Sequence, residues 1–386
     1  MLRVASAERP DWRAQATALG FHFHTIAGDP YWDERAHYRF TLRQIEQDIE
    51  APTAAIEAMC MEVVDRACRD EELLRQLAIP PAYWDFIAQS WFQRQPPLYG
   101  RMDFAYDGQG PAKLYEYNAD TPTSLYESAF FQWVWLEQAR VFGRMPPDAD
   151  QFNSIQEGLV AAFEAFDPGS YLHFSSVEGH AEDRGTVAYL EDCARQAGLS
   201  TAYVPLEQIG VDAVGRFSDA QDYVIEALFK LYPWEQVFED AFAKHLPTAG
   251  VRWLEPPWKA ILSNKGLLPL LWRFFPGHPN LLPAWFDGDP GVSALSGGYV
   301  RKPLFSREGS NVEWVEASGE RYTVEGPYGA EGYVVQALHP LPRFAGNYTV
   351  IGSWVVRGEP MGIGIREDAT PVTRDTSRFL PHAIVG

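Results

Sequence analysis

Arg101-Met102-Asp103, then the turn residues Asp107-Gly108-Gln109-Gly110, then Glu116-Tyr117-Asn118-Ala119-Asp120-Thr121 form the stretch that decides how this sequence is read. Alternate residues of a strand point to the same side. An apolar-alternating first strand therefore sets Arg101 beside Asp103, and a second sets Glu116 beside Asn118. Paired through the turn, the two strands gather Asp103, Glu116 and Asn118 into a cluster of hard oxygen donors. Such a set suits Mg²⁺, which takes one or two carboxylates plus substrate phosphates and keeps several waters. Arg101, two residues from the first carboxylate, turns the cluster towards a metal–polyphosphate site. Alternating acids on a hairpin are more often a solvated face. The asparagine, a neutral oxygen donor, and the rest of the chain shift the balance.

Composition narrows the possibilities. At 386 residues and 46% hydrophobic, the chain can bury a large core and form more than one lobe. A net charge of −20 repels nucleic-acid phosphates and anionic lipids, so neither is expected as a partner; polyamines and Mg²⁺ would be attracted. No apolar run reaches the roughly 18–20 residues a bilayer requires. The first residues lack the apolar core of a secretory signal. Three scattered cysteines, Cys60, Cys68 and Cys193, make neither a disulfide framework nor a zinc ribbon. A soluble cytoplasmic protein is expected. Only six of the 32 basic residues are lysines, Lys113, Lys230, Lys244, Lys259, Lys265 and Lys302, so a retained lysine marks a place for a compact ammonium. Lys265 in Ser263-Asn264-Lys265 and Lys302 in Val300-Arg301-Lys302-Pro303 stand out.

Three- and four-residue apolar spacing predicts helix over residues 30–78, and another helical stretch carries Trp84 to Trp91. After the hairpin, helices are expected over 123–139, 154–166 and 183–197, with strands at 171–175, 201–205 and 222–228. This alternation reads as an α/β lobe with a partly parallel sheet. A helix over 261–275 leads into short strands at 299–304, 312–317, 321–325, 333–338, 348–356 and 360–366, read as an antiparallel sheet. The division expected is a mainly helical region at 1–100, an α/β lobe at 101–258 and a nucleotide-binding lobe at 259–386, interleaved into one globular unit.

Between the strands at 299–304 and 312–317 lies Phe305-Ser306-Arg307-Glu308-Gly309-Ser310-Asn311, a small-residue tip whose backbone N–H groups can approach phosphate oxygens. Lys302 would enter this site from the strand. Such tips are usually plain turns. The strand Tyr333-Val334-Val335-Gln336-Ala337-Leu338 reads as core, and Arg366-Glu367-Asp368 and Thr373-Arg374-Asp375 each suit a surface ion pair when taken singly.

Together with Glu182-Asp183-Arg184-Gly185-Thr186, Arg252-Trp253-Leu254-Glu255-Pro256 and Gly362-Ile363-Gly364-Ile365-Arg366, these segments resemble the synthetase portion of the glutathionylspermidine synthase family. The chain is most similar to the short stand-alone members described as acid–amine ligases, of the ATP-grasp superfamily, and the resemblance runs over essentially its whole length. It implies an α+β, permuted ATP-grasp fold with a helical N-terminal region and an α/β pre-ATP-grasp-like lobe. Asp103, Glu116 and Asn118 would hold Mg²⁺. Arg101 would contact the transferred phosphoryl group or the tetrahedral intermediate, and Arg366 would stabilise the reacting centre. Lys265 and Lys302 would bind ATP phosphates, with the Gly309 loop closing over them. Gln336, Ala337 and Leu338 would lie at the adenine edge, and Thr373, Arg374 and Asp375 would also face the nucleotide. Thr121 and Thr123 would contact the acid substrate, and Glu182 and Asp183 the amine.

The implied activity is an ADP-forming carbon–nitrogen ligase that joins a carboxylic acid or peptide to an amine, with polyamines among the candidates, through an acyl phosphate. Authentic glutathionylspermidine synthesis is an alternative, and a non-catalytic nucleotide- or polyamine-binding protein is another. The bifunctional members' N-terminal amidase has no counterpart here, so no hydrolase activity is expected. Departures fall on substrate positions: Thr121-Pro122-Thr123 replaces Ser-Ala-Ser, and Leu231 follows Lys230 where a threonine is expected.

Overall fold

The seven residues of Tyr99–Ala105 are all buried, which marks a strand covered on both faces. In the computed structural model, which describes residues 1–26, 28–166, 171–307, 309–371 and 377–386, it is the interior strand of a six-stranded antiparallel sheet. On one side it pairs with Lys113–Asn118, completing the expected hairpin. On the other it pairs with Asn347–Val356, which in turn pairs with Glu359–Asp368. Strands expected in the second region of the chain therefore share a sheet with strands of the third.

The C-terminal strands do not form one sheet, as their sequence suggested, but two. Ala284–Phe286, Tyr333–Ala337, Gly298–Pro303, Glu313–Glu316 and Arg321–Thr323 lie side by side in a five-stranded antiparallel sheet. Asn347–Val356 and Glu359–Asp368 join the hairpin instead. Strand pairing at this distance in sequence leaves no trace in local periodicity.

The α/β lobe is a four-stranded sheet, parallel throughout, in the order Arg252–Leu254, Ala227–Leu231, Tyr171–Ser176, Ser200–Tyr203. Helices Ile155–Glu164 and Ala181–Gln196 pack on it and share one apolar core with it. The strand expected at 222–228 is displaced to Ala227–Leu231. The Asp219 carboxylate accepts the N–H groups of Gln221 and Tyr223, and Asp222 takes a left-handed φ of 64°, so these residues turn rather than extend.

Two helical expectations are also corrected. Ala36–Phe40 is a strand, antiparallel to Leu2–Ala5 and parallel to His382–Ile384, so its partners come from both ends of the chain. Helix begins only at Leu42, where Thr41 and Gln44 form a reciprocal cap. The helix expected over 261–275 breaks into Lys259–Leu262 and Leu267–Phe274. Asn264 holds the break, its Oδ1 accepting the Gly266 N–H and its Nδ2 donating to the Leu77 carbonyl. A Cβ at Gly266 would lie 2.6 Å from Leu77 Cδ2, so any larger residue would force the Leu77 side chain to shift. The break leaves Lys265 at a corner rather than on a helix face. Among the described residues no helix is long and apolar enough to cross a membrane.

Candidate active site

Register decides the geometry at the centre of the sheet. Asp103 stands directly across from Glu116, and Arg101 across from Asn118. Arg101 donates to both oxygens of Asp103, at 2.8 and 3.2 Å, and to the Thr123 carbonyl at 2.7 Å. From two strands away, Arg366 reaches Asp103 Oδ2 at 2.6 Å. Gly352 faces Asp103 across the third strand and leaves room for the Arg101 stem; a Cβ there would sit 2.7 Å from Arg101 Cδ. Asn118 Nδ2 lies 3.4 Å from both Asp103 Oδ2 and Glu116 Oε1.

The two lysines singled out by their rarity converge here. Lys265, at the helix break, approaches Glu116 at 3.2 Å and donates to the Ser306 carbonyl. Lys302, on Gly298–Pro303, donates to Gln336 Oε1 at 2.8 Å and to the Tyr115 carbonyl at 3.2 Å. Burial alone would raise the Glu116 carboxyl, but Lys265, Lys302 and Arg101 outweigh it and hold the group well below the ordinary glutamate range. Burial brings Lys302 down to about 8, opposed by Glu116 and reinforced by Lys265. Four cations thus surround two carboxylates inside a chain whose net charge is −20. This local excess of positive charge suits a polyphosphate.

These groups open onto one cavity of about 910 Å³, and every described candidate residue lines it. Gln336 and Ala337 meet it from the strand Tyr333–Ala337 and Leu338 from just past its end, and Gly309 and Ser310 at the loop. Glu182 and Asp183 meet it from the first turn of helix Ala181–Gln196, and Thr121 and Thr123 from the segment that follows the hairpin. Burial raises the Asp183 carboxyl, offset in part by His180 and Arg307. Thr373, Arg374 and Asp375 lie outside the described residues.

Sequence reading missed several participants. Arg307 donates to Thr121 Oγ1 and to Glu235 Oε1, both at 2.7 Å, bridging the loop to the threonine segment. Tyr31 lines the cavity, and burial, helped by Glu127 and Glu182, pushes its phenol far up. Behind it Glu127 is pushed up to about 8 by burial and by Glu182. Lys230 and Asp120 form a fully buried ion pair at 2.8 Å. The scarcity of lysine was the available signal for Lys230.

Mg²⁺ can be tested against the donor set. Among the described residues no group of three or more His, Cys, Asp and Glu side chains is placed to hold a metal. The candidate set is two opposed carboxylates and an amide. Both Asp103 oxygens accept from arginines and Glu116 Oε2 faces Lys265, yet each carboxylate oxygen has more than one lone pair. That fits an ion held by one or two carboxylates, with phosphate and water completing its shell.

Comparison with known proteins gives the chain's family and relatives. The sequence model of the family described as glutathionylspermidine synthase preATP-grasp matches residues 3–385. The chain belongs to this glutathionylspermidine synthase family. A Haemophilus influenzae relative named "Putative acid–amine ligase" is 41% identical over 399 residues, covering 98% of each chain. The "Bifunctional glutathionylspermidine synthetase/amidase" of Escherichia coli is 28% identical over 387 residues. That match takes in 93% of this chain but 60% of the bifunctional protein. Among solved structures, a glutathione synthetase-like effector from Globodera pallida superposes with a TM-score of 0.55 at 12% identity, covering 90% of this chain and 89% of the other. That likeness speaks for a shared mixed α/β fold. The expected class, a carbon–nitrogen ligase, is the class of this family's named relatives.

Proposed function

We propose that the cavity is the active site of an ATP- and Mg²⁺-dependent acid–amine ligase with an ATP-grasp arrangement of its nucleotide end. The observation that carries this is the convergence of Arg101, Arg366, Lys265 and Lys302 on the opposed carboxylates Asp103 and Glu116, in a cavity that continues to Thr121, Glu182 and Asp183.

A carboxylate is a poor acyl donor. Lys265 and Lys302 hold the ATP phosphates, and the loop around Gly309 lies over them. The acid's carboxylate oxygen attacks the γ-phosphorus, the bond to the β–γ bridging oxygen breaks, and ADP leaves an acyl phosphate behind. Arg101 and Arg366, already fixed by Asp103, face the charge that develops during transfer, and such preset electrostatics is the main protein contribution to phosphoryl transfer. Asp103, Glu116 and Asn118 would hold Mg²⁺, which supplies further neutralisation of the phosphoryl oxygens. Thr121 and Thr123 orient the acid. The amine, drawn in as a cation by Glu182 and Asp183, gives up one proton to one of these carboxylates, attacks the carbonyl carbon, and passes a second proton to the departing phosphate. The bond from that carbon to the phosphate oxygen then breaks, and phosphate leaves.

The test is ADP release by the purified protein with Mg-ATP against acids (glutathione, short peptides, amino acids) and amines (spermidine, putrescine, other diamines), alone and in pairs. ADP formed only with a matched pair is the expected result and identifies the substrates. Absence of any Mg-ATP binding would overturn the catalytic reading.

A further inference from the structure

Behind the cavity, Asp120 and Lys230 are both withdrawn from solvent, at 0% and 1% exposure, although neither faces the reacting groups. Asp120 Oδ1 accepts from Lys230 Nζ at 2.8 Å, and Asp120 Oδ2 accepts the Trp234 backbone N–H at 2.8 Å. Lys230 donates a second time, to the Tyr232 carbonyl at 2.9 Å, and lies 4.3 Å from the centre of the Trp234 ring. The partners are 110 residues apart in the chain. Asp120 sits between the metal-ligand candidate Asn118 and the cavity residues 121–124. Lys230 is the penultimate residue of the parallel strand Ala227–Leu231, directly before the cavity residues 231–233.

We propose that the Asp120–Lys230 ion pair is a positioning device that fixes the acid-binding wall, residues 121–124, against the wall at 231–233. The assignment rests on the ligase reading of the cavity for the identity of the wall, though not for the strap itself. An apolar pair would fill the same space with less desolvation cost. The charged pair instead makes three directed bonds, to a side chain and to two backbone groups, so it sets distance and orientation. Arg307 crosses between Thr121 and Glu235 on the cavity side, so the two walls are tied from both faces. A reaction that needs the acid's oxygen held close to the γ-phosphorus depends on that spacing.

The test compares the unsubstituted protein with the double variant Asp120→Asn/Lys230→Met, which removes both charges and keeps an acceptor for the Trp234 N–H. Hydrogen–deuterium exchange is expected to quicken about tenfold in residues 118–124 and 231–236 together, with residues 333–337 unchanged. Unchanged exchange in the two walls, or a uniform rise everywhere, would overturn the strap. Asp120→Glu provides a second, milder variant that keeps the pair and alters its length by one methylene. With the acid and amine identified by ADP release, it is expected to raise the KM for the acid about tenfold and leave the KM for Mg-ATP within about twofold. Equal movement of both constants would overturn the positioning role. If the unsubstituted protein binds no Mg-ATP, the ligase reading falls; in that case, and equally if Mg-ATP binds but no pair releases ADP, the exchange comparison alone decides whether the strap stands.

Discussion

At the proposed phosphate end of the cavity, Arg101, Asp103, Glu116 and Arg366 stand on strands of one antiparallel sheet, and their contacts follow from its register. At the proposed substrate end, Thr121 and Thr123 stand on the segment after a strand, Glu182 and Asp183 on a helix first turn, and Leu231 at the tip of a parallel strand. The first arrangement tolerates little change, because moving one residue shifts its neighbours along a hydrogen-bonded ladder. The second is made of connections, where sequence can change without disturbing the sheet. A chemistry kept constant and a substrate open to change would be distributed in this way. Thr121-Pro122-Thr123 and Leu231, where the sequence is expected to depart from the family pattern, fall on the second end.

The sharpest way to break this comparison is Asp103→Ala. It removes the acceptor that fixes both arginines, so the rate of ADP formation is expected to fall by at least about 10³-fold, with the fold kept by circular dichroism. Lys265→Ala should act in the same direction. Surviving turnover in either variant would mean the phosphate end is misassigned. Next in size is Lys230→Met, which strands the buried Asp120 charge and should cost about 3–5 kcal/mol in denaturant unfolding. A loss below about 1 kcal/mol, the range of exposed pairs, would show that the Asp120 charge is not isolated.

What could be read in advance follows the same line between the two ends. The hairpin with Arg101, Asp103, Glu116 and Asn118 was legible because strand alternation and one turn place all four within 18 residues. Lys265 and Lys302 were legible because lysine is rare in this chain. Gly352 was invisible: its role as the gap that admits Arg101 depends on a pairing some 250 residues away. Asp120 with Lys230, and Arg307 with Thr121, were hidden for the same reason. Ala36–Phe40 was misread as helix because its partner strands lie at the two chain ends, beyond any periodic signal.

Two further experiments sharpen the phosphate end. Gly352→Ala places a methyl 2.7 Å from Arg101 Cδ while Asp103 and Thr123 hold the guanidinium, so the side chain must shift. The expected result is a 10- to 100-fold loss of kcat (an order-of-magnitude figure) with little change in the KM for the amine. The pH dependence is smaller. Lys302, brought down to about 8 by burial, keeps its proton below that pH and loses it above. The KM for Mg-ATP is therefore expected to be flat below pH 8 and to rise by up to about tenfold per pH unit beyond it. Lys302→Arg, which keeps its charge, should flatten that rise. For stability the sign is opposite: the folded protein holds fewer protons than the unfolded chain between pH 8 and the ordinary lysine range, so the cost of burying Lys302 eases as pH rises.

The smallest expected effect bears on the substrate end alone. Leu231 is buried, lines the cavity and follows Lys230 at the strand tip. Leu231→Thr shortens the side chain and adds a hydroxyl beside Tyr232 and Pro233 without touching the strand pairing. A pocket wall altered by a methylene or a hydroxyl changes discrimination by roughly one to two orders of magnitude at most. Here the KM for acid or amine should move by about tenfold or less, while the KM for Mg-ATP stays put. If both constants moved together, the two ends of the cavity would be one unit after all, tied through Asp120 to the hairpin of Asp103, Glu116 and Asn118. If only the substrate constants moved, the proposed division between a fixed phosphate end and a variable substrate end would hold at Leu231.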